Sequence, residues 1–133
     1  MKLIISTESN QKFSIGLADA SQLIDFELVD KPYVQSELVL KTIDKLFSKQ
    51  KVSNKTLEEI IVVSGPGDFS AVRIGISIAN ALGHAWNVPV KGIELKKQYK
   101  VEESKLKDVL KMSEKVKAGK MAKPVYISEP NIT

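Results

Sequence analysis

The sequence predicts an α/β fold in which helices pack on a mixed sheet of five strands. Short segments of alternating or continuous apolar residues indicate the strands, and longer segments with apolar residues at the helical period indicate helices. Their order along the 133 residues is β-β-β-α-β-α-β, followed by a lysine-rich helix. Three successive strands predict an antiparallel meander, and each β-α-β unit then adds a parallel strand through a helical crossover.

The meander is predicted within residues 1–30. Leu3-Ile4-Ile5 is a short apolar run typical of a buried strand, and residues 13–18 alternate large apolar with small side chains. Ile24, Phe26 and Leu28 alternate with acidic residues. That last pattern predicts a third strand with one solvent-facing side.

Two helices and the strand between them follow the meander. The first helix is predicted to open at Pro32, because proline suits a first helical turn, and to run to about Lys49. Ile60-Ile61-Val62-Val63 is a β-branched run, which predicts a strand covered on both faces. The second helix is predicted from about Phe69 to Trp86, with Asp68 as its N-cap.

The last predicted elements lie beyond residue 87. Residues 88–93 predict a short strand, whose proline favours an edge position or a strand start. Ser104 to Lys117 predicts an amphipathic lysine-rich helix with Leu106, Val109 and Leu110 facing inward. The whole order is that of the ribonuclease H-like half-domain, which is also the unit of actin-like ATPases and sugar kinases.

Composition excludes several kinds of site. The chain has no cysteine and one histidine, which excludes disulfides, thiolate metal sites, cysteine nucleophiles and clusters of histidine ligands. No apolar run approaches the roughly 18 residues that a membrane span needs. The opening apolar run is too short for the core of a signal peptide. We therefore expect a cytoplasmic protein without a membrane segment.

The net charge of +4 is unevenly distributed. Residues 1–90 carry a net charge of −1, whereas residues 91–123 carry +6. The sequence therefore describes a neutral fold with a basic segment near its C-terminus. This segment predicts either a solvated helix face or a contact with nucleic-acid phosphates.

The second helix carries more apolar residues than one sheet contact requires. One apolar stripe contains Phe69 and Val72, and another contains Ile74 and Ile78. A row of small residues also recurs every four positions: Ala71, Gly75, Ala79 and Gly83. Such a row lets another element approach closely. That element is either part of this chain, as the first helix or the sheet, or a partner molecule, and the sequence leaves both open.

The Gly65-Pro66-Gly67 turn before this helix is weak evidence for a phosphate-binding loop. A Walker loop needs a lysine after its last glycine, and a dinucleotide fingerprint needs a third glycine where Ser70 stands. Asp68 also places a negative charge where a phosphate would bind. The pattern favours an ordinary turn from strand to helix.

Catalytic side chains are scarce at the predicted strand ends. Enzymes of this fold hold metal ions with carboxylates, but the first strand ends in Ser6-Thr7 and the central strand in Ser64. Glu8 is the nearest acid that could substitute, and His84 has no second histidine or cysteine to act with. Arg73 is better suited to pairing with a carboxylate, capping a loop or reaching a partner. We predict no catalytic residue, no metal ligand and no cofactor.

Residues 64–75 read Ser-Gly-Pro-Gly-Asp-Phe-Ser-Ala-Val-Arg-Ile-Gly. This stretch resembles the signature Gly-Pro-Gly-Ser-Phe-Thr-Gly-Leu-Arg-Ile-Gly of the TsaB (YeaZ) family, accessory subunits of bacterial threonylcarbamoyladenosine modification of tRNA. The signature turn is represented here by Gly65, Pro66, Gly67, Phe69 and Arg73. Shorter matches in the same order extend the resemblance over about residues 1–93: Leu3 to Thr7, Ser14 to Leu17, Gln35 to Glu37 and Val88 to Ile93.

Departures from the family pattern are informative. Ser6, Gln35, Asp68 and Ala71 stand where the family has Asp, His, Ser and Gly, which argues against residual nucleotide binding. The family has a second domain of similar fold, whereas residues 94–133 here predict a short lysine-rich helical extension in its place. The extension ends in residues 124–127, which resemble the family's C-terminal Pro-Val-Tyr-Leu-Arg and predict a last strand. The expected organisation is therefore a domain at 1–93 and an extension at 94–133.

The resemblance implies a function and partners. TsaB proteins are regarded as non-catalytic and bind the catalytic subunit TsaD through two helices of their first domain, a surface that also forms homodimers. Carried onto this chain, that interface comprises Gln35, Glu37, Leu38, Ala71, Gly75, Ala79 and Gly83. The resemblance leaves open whether a TsaE-like ATPase joins, and residues 94–123 are expected as the contact with tRNA if one forms. Two alternatives stay open: a reduced actin-like ATPase or kinase half that uses the Gly-Pro-Gly turn, and an RNA-binding module with a basic tail.

Overall fold

The computed structural model describes residues 1–116 as five strands and three helices around one sheet. The strands are β1 Lys2–Ser6, β2 Phe13–Asp19, β3 Gln22–Val29, β4 Glu59–Gly65 and β5 Val90–Glu94. The helices are α1 Gln35–Gln50, α2 Phe69–Trp86 and α3 Glu102–Ser113, with a short 3₁₀ turn at Asn54–Thr56. The predicted order of elements is confirmed. The predicted strand at residues 124–127 lies outside the described residues.

The sheet is mixed, with strand order β3-β2-β1-β4-β5. β1 and β2 are antiparallel, as are β2 and β3, whereas β1, β4 and β5 run parallel to one another. The carboxyl ends of β1, β4 and β5 therefore meet at one edge of the sheet. In open α/β sheets this is the edge where ligands bind.

Helices cover both faces of the sheet. α1 and α2 pack on one face, where the core includes Phe13, Val39 and Val72. α3 packs on the opposite face, where Leu106, Val109 and Leu110 are buried as predicted. Since apolar burial drives both contacts, the central strands are buried on both faces and carry β-branched residues.

Helix boundaries differ from the prediction by a few residues. α1 begins at Gln35 instead of Pro32, because Tyr33 has a left-handed φ of 57° that a helix cannot continue. α3 runs from Glu102 to Ser113, whereas Ser104 to Lys117 was expected. None of the helices within residues 1–116 combines the length and the apolar character needed to cross a bilayer.

The third strand corrects the expectation of one solvent-facing side. The carboxylates of Asp25 and Glu27 lie toward α1, where Lys49 and Lys45 pair with them at 3.0 and 2.8 Å. Leu28, on the opposite face, remains 40% exposed. β3 is an edge strand, so each of its faces is covered incompletely, and the acidic side chains find partners on a helix.

Candidate functional site

The strand-to-helix turn at residues 65–68 is held against the loop that follows β1. Gly65 adopts a positive φ of 127°, a conformation that favours glycine, and its bond to Pro66 is cis. A Cβ atom at Gly67 would overlap the Glu8 carbonyl, so only glycine fits there. The Asp68 N–H donates to that carbonyl at 2.8 Å. The turn and the loop therefore touch backbone to backbone.

Asp68 occupies the N-cap position of α2, but its side chain makes no capping hydrogen bond. Its Oδ2 instead accepts a hydrogen bond of 2.8 Å from the Asn10 N–H in the neighbouring loop. The prediction of an Asp68 cap was therefore right about position and wrong about the bond. A backbone donor 58 residues away satisfies the carboxylate in place of the helix's own N–H groups.

A cleft of about 770 Å³ opens beside this turn, at the carboxyl edge of the parallel strands. Lys105 of α3 reaches into it and pairs with Glu8 Oε2 at 2.8 Å and Glu102 Oε2 at 2.7 Å. Only 9% of the Lys105 side chain is exposed. Ser6 donates to the other Glu8 oxygen at 2.6 Å, and Ser14 donates to Glu102. The chain's own ammonium group thus pairs with both carboxylates at this edge.

Opposing effects set the proton affinities in this cluster. Burial alone would raise the pKa of Glu8, but Lys105 outweighs it and holds that pKa below the usual carboxyl value. Burial alone would lower the pKa of Lys105, but Glu8 and Glu102 together raise it above the usual amine value. Both groups are therefore charged across the neutral range. This arrangement therefore does not provide a general acid or base that titrates near neutral pH.

Within residues 1–116, no group of three or more His, Cys, Asp or Glu side chains is placed to hold a metal ion. Thr7, where the first strand ends, donates to the Ala71 carbonyl at 2.9 Å and so contacts α2. The residues at this edge make internal contacts with one another.

The row of small residues on α2 faces the protein's own sheet. Ala71, Gly75, Ala79 and Gly83 are all buried. A Cβ atom at Gly75 would overlap Thr7, and one at Gly83 would collide with Val90. The expectation that this row lines a partner interface is therefore corrected, because close packing of α2 on the sheet accounts for it. Sequence alone could not decide this, since Thr7, which packs against Gly75, lies far from it along the chain.

The three α1 residues of the expected interface differ in how far they are exposed. Gln35 is 2% exposed, and its Nε2 donates to the Ser9 carbonyl, so it binds within the chain. Leu38 is partly buried against the core beneath α1. Glu37 is exposed. Among the three, Glu37 is the one that is free to meet a partner.

An apolar surface remains on the outer side of the two helices. Ile74, Ile78 and Leu82 recur every four residues on α2 and are only partly buried. Leu40 of α1 is 52% exposed and lies two helical turns before Phe47. The Phe47 ring contacts Trp86 of α2 with centroids 6.0 Å apart, so this side of α1 faces α2. We call Leu40, Ile74, Ile78 and Leu82 the helix-pair surface.

Arg73 and Phe69 lie at the start of α2. The Arg73 guanidinium is stacked 5.4 Å from the Phe69 ring centroid. Arg73 is exposed, whereas the ring is partly buried. The stacked pair places a fixed positive charge at the end of the helix-pair surface.

Ion pairs neutralise much of the lysine-rich segment that the structure describes. Lys91 pairs with Glu59 at 2.9 Å, and Lys107 pairs with Glu103 at 2.7 Å. Lys97 lies 3.8 Å from Asp108 and 5.1 Å from the Tyr99 ring centroid. Tyr99 donates to Asp108 at 2.7 Å. These contacts fit a solvated helix face, and contact with tRNA stays a prediction.

Sequence comparison finds similarity to tRNA-modifying transferases over part of the chain. A family model described as TsaD, tRNA N6-adenosine threonylcarbamoyltransferase, matches residues 35–95. Proteins named tRNA N6-adenosine threonylcarbamoyltransferase are similar over 67 residues, with 34% identity in Burkholderia multivorans and 39% in Nitrosospira multiformis. Each match covers 50% of this chain and 19% of the relative. The chain therefore corresponds to a small part of those transferases.

Structure comparison confirms the predicted fold. YeaZ from Pseudomonas aeruginosa matches with a TM-score of 0.65 and 22% identity, over 70% of this chain and 43% of that chain. The ribonuclease H-like half-domain of the YeaZ type is thus the fold of this protein. The structural match shows this fold, and the transferase matches show similarity to tRNA threonylcarbamoyltransferases over half of the chain.

Proposed function

We propose that this protein is a non-catalytic subunit of the machinery for threonylcarbamoylation of tRNA adenosine, and that it binds a TsaD-like catalytic subunit through the helix-pair surface. The YeaZ-like fold and the sequence similarity to the transferases support a role in this machinery. The surplus apolar surface on α1 and α2 is the observation that supports docking.

The small-residue side of α2 packs on the sheet, with Ala71, Gly75, Ala79 and Gly83 all buried. Ile78 and Leu82 of the helix-pair surface also contact the core, but each is only partly buried. Ile74, Ile78 and Leu82 form a separate stripe that stays partly exposed. Apolar side chains in one contiguous patch favour burial against a partner. We therefore assign the partner contact that was expected of the small residues to this stripe of α2, together with Leu40 and Glu37 of α1.

The proposed partner contains a related helix pair. The match to the TsaD family model spans residues 35–95, which include the whole of α1, β4, α2 and β5. A TsaD-like subunit therefore has equivalent helices, and packing one pair against the other gives a pseudo-twofold contact. The same geometry would permit a homodimer of this chain when the partner is absent.

The cleft supports a non-catalytic role. Lys105 lies between Glu8 and Glu102, and Asp68 accepts a hydrogen bond from Asn10. These internal contacts occupy the carboxylates that a nucleotide's metal ion would need. We therefore propose that the chain binds no ATP, in contrast to the alternative of a reduced ATPase. Calorimetry with ATP and Mg²⁺ should show no heat of binding.

We also propose that the lysine-rich extension serves as the cover of the second sheet face. The resemblance implies a further domain beyond residue 93, whereas α3 here packs on the sheet of residues 1–93. On this view residues 94–116 form one unit with the preceding fold.

Copurification tests the docking proposal. A tagged full-length chain is expected to retain the TsaD-like transferase of its source organism, and Leu40→Glu is expected to abolish retention. Leu28→Glu is the matched control, since Leu28 is 40% exposed on a different surface and Leu40 is 52% exposed. Equal retention by all three chains would remove the helix-pair surface from the proposal.

A further inference from the structure

The β1–β2 loop connects the starts of α1 and α2. On the α2 side, the Asn10 N–H donates to Asp68 Oδ2 at 2.8 Å, and Ser70 Oγ lies 3.2 Å from Asn10 Oδ1. Thr7 adds a buried hydrogen bond to the Ala71 carbonyl at 2.9 Å. The first turn of α2 is therefore bonded to the loop at several points.

The same loop holds the start of α1. The buried Gln35 side chain donates from Nε2 to the Ser9 carbonyl. The Tyr33 N–H donates to the Asn10 carbonyl at 2.8 Å. Asn10 thus bonds to the segment that leads into α1 through its carbonyl and to Asp68 at α2 through its N–H. Three consecutive residues, Glu8 to Asn10, bridge the two helix starts.

The opposite ends of the helices are held by apolar contact instead. The rings of Phe47 of α1 and Trp86 of α2 contact each other with centroids 6.0 Å apart and planes tilted by 33°. Apolar contacts tolerate small sliding motions, whereas hydrogen bonds to backbone groups fix distance and direction. The polar bridge therefore defines how the two N-terminal halves are spaced. Leu40 and Ile74 of the helix-pair surface lie in these halves.

We propose that Asp68 is a positioning residue for partner docking: through Asn10 and the loop that also binds Gln35, it fixes the spacing of α1 and α2 on which the helix-pair surface depends. This inference rests on the proposed function. It gives the signature turn a purpose other than phosphate binding, because the acceptor of the loop N–H is the chain's own carboxylate. Gly67 is part of the device, since any side chain there would separate the turn from Glu8.

Three variants of the full chain test the role of Asp68. Asp68→Ala removes the acceptor and is expected to weaken the affinity for the TsaD-like transferase about tenfold, as loss of a partly buried hydrogen bond would. Asp68→Asn keeps an acceptor oxygen and is expected to restore most of the affinity. Asp19→Ala, at an exposed aspartate of β2, controls for the change in charge and is expected to bind as the wild type does.

Hydrogen exchange of the Asn10 amide separates positioning from direct contact. We expect Asp68→Ala to speed this exchange and Asp68→Asn to leave it near the wild-type rate. Fast exchange with unchanged affinity would overturn the inference while leaving the proposed function intact. Equal loss of affinity in the Ala and Asn variants would also overturn it, because a charge contact with the partner would then explain the data.

A second variant guards against misfolding. If Asp68→Ala does not give a folded chain by circular dichroism, Gln35→Leu tests the other side of the same loop, since it removes the donor to Ser9 and keeps a side chain of similar size. It is expected to weaken binding in the same way. Unchanged affinity of a folded Gln35→Leu chain would count against the inference. Failure of the proposed function would be detected separately, because Leu40→Glu would then bind the TsaD-like transferase with wild-type affinity.

Discussion

The two faces of the sheet are covered in different ways. On one face, α1 and α2 pack through apolar and small side chains and leave apolar residues at their outer surface. On the other face, α3 has an apolar centre, and polar contacts lie at each of its ends. Lys105 pairs with Glu8 near its start, and Lys91 donates to the Ser113 carbonyl at its end with a bond of 2.9 Å.

This difference shows how a small fold divides its tasks. A single helix cannot bury five strands by apolar contact alone, so buried charges help to hold α3 in register. Two helices cover their face with apolar area to spare, and that surplus is free for a partner. Changes on the α3 face should therefore affect stability first, and changes on the helix-pair surface should affect binding first.

Among the variants expected to fold, the largest effect is on the α3 face. Lys105→Met should lower the free energy of unfolding by about 3–5 kcal/mol, because Glu8 and Glu102 would be left buried without their counter-ion. Chemical denaturation of the full chain measures this. Lys107→Met is the control on the same helix, since Lys107 is exposed and its pair with Glu103 should contribute about 0.3–0.5 kcal/mol. Similar losses in both variants would mean that the buried cluster does not anchor α3.

The corresponding test on the two-helix face uses Gly75. Gly75→Ala should destabilise the chain by about 1–3 kcal/mol through overpacking against Thr7, although alanine favours helix formation. Gly75→Leu should prevent folding altogether, so loss of partner binding in that variant would carry no information about an interface. Thr7→Ala in the same chain should recover part of the loss in a double-mutant cycle. A fully additive pair would contradict the close contact.

The pH dependence of stability gives a smaller effect with a defined sign. Because the pKa of Glu8 is lowered in the fold, its contribution is present above the unfolded pKa and is lost as pH falls through the folded value. Because the pKa of Lys105 is raised, its contribution is present below the unfolded pKa and is lost as pH rises through the folded value. Wild-type stability should therefore fall as the pH is lowered below the usual carboxyl pKa of about 4.5.

In Lys105→Met the loss of stability at low pH should be smaller than in the wild type, or stability should rise instead. Burial would then raise the pKa of Glu8, so protonation would relieve an uncompensated charge. Thermal unfolding of both chains over the same pH series measures the difference. Parallel curves for the two chains would show that Lys105 does not set the Glu8 pKa.

The smallest expected effect concerns Tyr99 beside the cleft. Burial and the hydrogen bond to Asp108 raise the pKa of Tyr99 to about 12. Asp108→Asn should lower it toward the usual tyrosine value of about 10, because the negative charge that opposes ionisation is removed. Ultraviolet absorbance of the tyrosinate ion during titration reports this directly. An unchanged midpoint would mean that Asp108 is not the partner in solution.

The fold was predictable because burial follows local periodicity. Leu106, Val109 and Leu110 face the sheet as their helical spacing predicts, and the β-branched run of β4 is buried on both faces. The second apolar stripe of α2 likewise indicated more surface than the sheet could cover. Such patterns involve residues that are close together in the sequence, so they can be recognised without knowledge of distant contacts.

The site was less predictable because its contacts join distant segments. Lys105 and Glu8 are 97 residues apart, so neither sequence position alone indicates a buried pair. Asp68 looked like a helix cap because the competing donor, Asn10, belongs to another loop. The small-residue row could serve either a partner or the sheet, and the positions of Thr7 and Val90 against its glycines decide between them.

Reconstituted threonylcarbamoylation of tRNA tests the central claim most directly. The chain alone should form no modified adenosine, and the wild-type chain with its TsaD-like partner and the remaining components should form more than the same mixture without the chain. Leu40→Glu should remove that increase, whereas Leu28→Glu should keep it. Modification by the chain alone, or full stimulation by Leu40→Glu, would contradict a non-catalytic subunit that docks through α1 and α2.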